Sequence, residues 1–135
     1  MNNETVYLDI ETTNPGDYET ATTTPDPAPD GVSYYYKFSG GTDSQGNVDL
    51  TTQAKTQIDV SLKGSSHGKY DLDGASEKTN TSHGDIAVTN TTPNKITIND
   101  KAEVNRVEMT YTVNAKPKNT DNVVIHCDPR VRNDW

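Results

Sequence analysis

The chain has one cysteine in 135 residues, so no disulfide can close within it and nothing covalent supports its fold. A lone thiol also leans towards a reducing compartment. Core-forming residues are scarce: Leu, Ile, Val and Phe together make about one sixth of the chain, and the net charge is −8. That combination is the usual signature of disorder, so order has to be argued from the pattern of what remains. Cations are few and dispersed, with 12 Lys and Arg against 20 Asp and Glu. This excludes a phosphate backbone or an anionic membrane surface as a partner, since both are bound through clustered Lys and Arg. No run is apolar enough to span a bilayer, which excludes membrane insertion by a helix. The opening "MNNETVYLDIETT" lacks the basic start and apolar stretch of a secretory signal. It reads as cytoplasmic as written, or as the mature form of a secreted or surface protein behind a new Met1. Also missing are a Gly-rich phosphate loop, a dinucleotide fingerprint and any distinguished carboxylate pair. Neither a cofactor nor an enzymatic activity is expected.

The scarce apolar residues are not scattered. They recur at every second position, which places them on one face of a pleated strand. "TVYLDIE" sets Val6, Leu8 and Ile10 against Tyr7, Asp9 and Glu11. "TQIDVSLKG" sets Ile58, Val60 and Leu62 against Gln57, Asp59, Ser61 and Lys63. "NRVEMTYTVNA" gives the longest alternation, with Val107, Met109, Tyr111 and Val113 on one face. Shorter strands are predicted at "DIAVT", "KITIN" and "NVVIHC". "VSYYYKFS" and "VDLTT" flank the turn formers "GGTDSQGN" and are predicted to form a hairpin.

Between the first two strands runs the stretch 12–31, rich in Pro and Thr, whose prolines fix φ and remove donors, so it is expected as one long loop. Residues 64–84 are mostly turn formers around one short apolar piece, "KYDLDG". Asp128-Pro129 is expected to end the last ladder and leave 128–135 as a tail. Seven or eight short strands with long polar loops and no credible helix predict an all-β single domain over 1–135. The expected form is an antiparallel, immunoglobulin-like β-sandwich, without the Cys, Trp, Cys spacing of antibody domains.

Candidate chemistry follows from residue types. His67 and His83, each in a Ser-His-Gly triplet, with His126 and Cys127 make a conceivable zinc set. They lack paired ligands at short spacing, and residues 126 and 127 point to opposite faces of a strand, so no metal is favoured. Asp71, Asp73 and Glu77 in "DLDGASE" are weak calcium candidates, as are Asp17, Glu19, Asp26 and Asp30 of the long loop, and solvated acidic loops are the plain alternative. Cys127 as a nucleophile would need a base from another loop; a small buried thiol is the simpler reading. Tyr34, Tyr35 and Tyr36 in a row force at least one ring away from the core, where a phenol suits a sugar ring or a protein partner. Arg130 and Arg132 share a face and are placed to pair with acidic groups, while Trp135 is placed to cap an exposed core edge or enter a neighbouring subunit.

Two functions are expected from this. The first is a non-enzymatic structural protein forming homo-oligomers. Copies would contact one another through the edge-capable first strand (Val6, Leu8, Ile10), tethered by a long loop, and through Arg130, Arg132 and Trp135 of the tail. The second is a carbohydrate- or ligand-binding module using Tyr34, Tyr35, Tyr36 and the acidic loops, with calcium as an accessory. The segments "TVYLDIE" and "CDPRV" resemble those of small bacterial inclusion-body proteins of the AidA/PixA type, which open with an alternating strand and close with one ending in Asp-Pro. The resemblance covers those two segments and leaves the middle unmatched.

Overall fold

The structure is a computed structural model that describes residues 1–29, 31–119 and 123–135. Asp30, one of the weak calcium candidates, lies outside them, as does the end of the turn "KPKNTD" and the start of "NVVIHC". Strands dominate the described residues. They are β1 (Asn2–Glu11), β2 (Glu19–Thr20), β3 (Thr22–Thr24), β4 (Tyr35–Gly40), β5 (Val48–Leu50) and β6 (Thr56–Leu62), then a helical turn α1 (Gly64–Lys69). There follow β7 (Tyr70–Asn80), β8 (Ile86–Thr91), β9 (Lys95–Asp100), β10 (Val107–Pro117), β11 (Val124–Cys127) and β12 (Arg130–Asn133).

Two sheets pack face to face. The first has the order β2-β4-β1-β6-β9-β8; the second runs β3-β11-β10-β12-β5, with β7 on the other edge of β10. The expected alternation fills the space between them. Val6, Leu8, Ile58, Val60, Ile96 and Ile98 from one sheet meet Met109, Tyr111, Val113, Ile125 and Val131 from the other, all fully buried. Each such aliphatic side chain contributes about 1.5–3 kcal/mol by leaving water, which is how a thin complement of apolar residues sustains a fold.

The expectation of a purely antiparallel sandwich is corrected. β1 lies parallel to β6 and β12 parallel to β5, so both sheets are mixed. A parallel pair requires a connection that carries the chain back to its starting end. Residues 12–55, which traverse the second sheet in between, provide one. The predicted hairpin is also corrected: β4 belongs to the first sheet and β5 to the second. Gly40, Gly41 and Gly46 take positive φ, and the Asp43 carboxylate accepts the amides of Gln45 and Asn47. This turn carries the chain between layers instead of folding it back alongside itself. A Cβ on Gly46 would lie 2.2 Å from Phe38 Cβ, so only glycine fits at that crossing.

Three further segments depart from expectation. The stretch 12–31 contributes a short strand to each sheet, β2 against β4 and β3 against β11. Residues 64–84 hold α1 and the eleven-residue edge strand β7, which ladders on β10 with two register shifts. The tail is a working strand: β12 pairs with β10 and β5, and Val131 and Asn133 are fully buried. Asp128-Pro129 interrupts the ladder, and pairing resumes at Arg130.

Candidate binding cleft

A cleft of about 560 Å³ opens beside β4, which forms its floor. Strand alternation turns the rings of Tyr36 and Phe38 inward, where they pack edge to face at 5.7 Å, and turns Lys37 out. One wall is the stretch 14–19, shaped by Asn14, whose side-chain oxygen accepts the Gly16 and Tyr18 amides. This brings Asp17 onto Lys37 as an ion pair and Glu19 onto the Tyr36 hydroxyl, which donates to it at 3.0 Å. The opposite wall is the turn 43–47, and Asp128 closes the end.

The electrostatics follow from these contacts. The Lys37 ammonium holds the Asp17 carboxyl below its ordinary range. Partial burial works against ionisation of Asp43, but the bonds from the Asn47 side chain and from the Gln45 and Asn47 amides outweigh it and hold that carboxyl low. Burial, and then the bond to Glu19, push the Tyr36 phenol well above its usual value, so it stays a donor. The cleft is thus lined by carboxylates (Asp17, Glu19, Asp43, Asp128), the side-chain amides of Gln45 and Asn47, the Lys37 ammonium and the Tyr36 phenol. Among the described residues no three His, Cys, Asp or Glu side chains gather closely enough to hold a metal ion. What the arrangement offers a ligand is hydrogen bonding.

Of the tyrosine triplet, Tyr34 is buried against Tyr70, Tyr35 is half-buried opposite Glu11 and Thr20, and only the hydroxyl of Tyr36 reaches the cleft. Val6, Leu8 and Ile10 are buried in the middle of the first sheet, with both edges of β1 occupied by β4 and β6. Arg130 and Arg132 both lie against Asp49, at 3.4 and 3.2 Å. Trp135 packs partly buried on the core, its amide donating to Asn105 Oδ1 at 2.9 Å. Asp71 and Asp73 are strung along β7 with Glu77, and Asp71 faces Lys118 at 3.6 Å.

The histidines stay apart. His67 and His83 are exposed, and His126 lies between Asn114 and Thr24. Cys127 is fully buried, and burial, with the nearby charge of Asp128, pushes its thiol well above the ordinary range. Sequence reasoning singled out Glu19, Asp17 and Tyr36 but missed Asp43, Gln45, Asn47 and Asp128, whose only local signal is turn chemistry.

No protein-family model matches the chain, and no curated protein matches it.

Proposed function

We propose that this is a non-catalytic binding domain that takes a neutral, hydroxyl-rich ligand, a carbohydrate in chemical class, in the cleft over β4. The observation that supports this most is that Glu19, which accepts the Tyr36 hydroxyl, lines one concavity together with Asp43, Gln45 and Asn47. Carboxylates and amides bind adjacent sugar hydroxyls in bidentate fashion, and a lining dominated by polar groups selects against an apolar ligand. The excess of carboxylates selects against sulfated or uronic sugars. The test is a panel of neutral and acidic oligosaccharides screened by amide chemical-shift perturbation. Neutral members should perturb Glu19, Lys37, Gln45 and Asn47, and Glu19→Ala should abolish the effect without changing the fold. No perturbation by any sugar, or perturbation confined to another face, counts against the proposal.

A second reading is self-association by exchange of β1 between copies. It is favoured by one feature: β1 is held on both sides, is buried, and is joined to β4 by the long segment 12–34, so exchange would keep every ladder partner. Light scattering across concentrations decides it, because one monomeric mass throughout removes the idea. The immunoglobulin-like description belongs to the same proposal. Its support is the stack of two sheets of short strands, and an experimentally determined strand order is its test.

A further inference from the structure

Where the loop 101–106 meets β12, three polar side chains are buried together: Asp85, Asp100 and Asn133, exposed by 5%, 1% and 0%. Asp85 accepts hydrogen bonds from the Glu103 and Val104 amides and, at 3.0 Å, from Asn133 Nδ2. Asp100 is served differently. Its Oδ1 accepts both the Ala102 amide at 2.8 Å and Asn133 Nδ2 at 3.1 Å. Among the described residues its Oδ2 has no partner, and neither has the Oδ1 of Asn133.

Two bare acceptors on side chains already joined by one hydrogen bond are compatible with an acid–amide ring. A carboxylic acid and a primary amide pair through N–H to C=O on one side and O–H to C=O on the other. A proton on Asp100 Oδ2, donated to Asn133 Oδ1, satisfies both orphans at once. Without it, a buried anionic oxygen and a buried carbonyl oxygen would both go unsatisfied, which is costly away from water.

We propose that Asp100 is held protonated and that its acid–amide ring with Asn133 is a pH-sensitive latch fastening β12 to β9. The groups around it are consistent with this. Its ladder partners, Thr56 on β6 and Ile86 on β8, are uncharged; Asp85 is the charge that acts on it, and Arg132 of β12 is turned to Asp49. Burial, and then the negative charge of Asp85, raise the Asp100 carboxyl above its ordinary value of 3.8, against the Ala102 and Asn133 bonds that lower it. A carboxyl raised on folding contributes stability that is complete below the unfolded value and is lost as pH rises through the folded one. Raising the pH therefore opens the latch.

Trp135, the only tryptophan and two residues beyond Asn133, reports on it. The wild-type emission should shift to the red as pH rises through the Asp100 titration. Asp100→Asn, whose amide can donate where the acid proton did, should abolish that transition, match the wild type at acid pH and exceed its unfolding midpoint at neutral pH. The proposal is overturned if the transition survives in Asp100→Asn, or if that variant is less stable than wild type at neutral pH, the result expected of a carboxylate balanced by a bound cation. If Asp100→Asn does not fold, ¹³C-carboxyl NMR of the wild type decides. A buried Asp carboxyl titrating above the ordinary range supports the latch, and its absence refutes it.

Discussion

Ser66 is the one fully buried residue of α1, and it fastens that helical turn to β1. Its hydroxyl oxygen accepts the Ile10 amide at 2.9 Å, and its proton goes to Asp9 Oδ1 at 2.6 Å. Ser66→Ala removes both bonds while leaving almost no void. Asp9 keeps the Tyr18 hydroxyl as a donor, so its loss is partial. The Ile10 amide is left buried without a partner, and that costs about 1–3 kcal/mol. A domain of this size loses roughly 3–5 °C in melting temperature per kcal/mol, so a fall of about 3–15 °C is expected. Thermal melts by circular dichroism, with urea midpoints at unchanged slope, measure it. Ser65→Ala, on the exposed side of the same turn, is the control and should stay within about 0.5 kcal/mol of wild type. If the two variants behave alike, Ser66 is not what holds α1 to β1 and the reasoning fails.

Other expectations are as direct. Tyr111 is fully buried in β10 with a hydroxyl that has no partner among the described residues, so Tyr111→Phe should raise stability by about 1 kcal/mol; a loss of stability would reveal a partner for the phenol. Gly46→Ala, which must clear the Phe38 side chain from a positive φ, should cost more than about 3 kcal/mol, whereas Gly64→Ala, with open space around it, should cost about 1–2; equal chemical-denaturation midpoints would contradict the crossing geometry. The bond to Asp9 foremost pushes the Tyr18 phenol up to about 12, and burial does the same for Tyr70. Their contribution to stability is therefore complete below pH 10.0 and lost between there and 12, so the urea midpoint should fall over that span, and phenolate absorbance rising near pH 10 for these two rings would refute it.

What could be read from the sequence follows from what each strand touches. β1, β6 and β10 have one face in the core and one outside it, so burial writes a period of two into their residues. β7 does not, because an edge strand is held by ladder hydrogen bonds to β10 and most of its side chains beyond Leu72 meet water; "YDLDGASEKTN" therefore reads as turn. The pairing of β5 with β12 joins Val48 to Val131 and has no local signature at all, while the glycines and Asp43 of the intervening turn suggest a simple reversal. The cleft was half legible: Asp17 and Glu19 stood out as acidic loop residues and Tyr36 as an aromatic. Only the crossing of layers between β4 and β5, and the resumption of the ladder after Pro129, bring Asp43, Asn47 and Asp128 to the same place.

The parallel pairing of β5 with β12 has a consequence for how the chain is made. Translation delivers Val48 and Leu50 early, but the ladder partners that order their strand, residues 131–133, emerge more than 80 positions later. Until then this apolar pair has no strand to join, and the side of β10 that β12 will occupy stays open. The second sheet therefore closes only once residues 131–133 have emerged, and a ribosome stalled before Val131 displays an unfinished sheet edge for chaperones or neighbouring nascent chains to find.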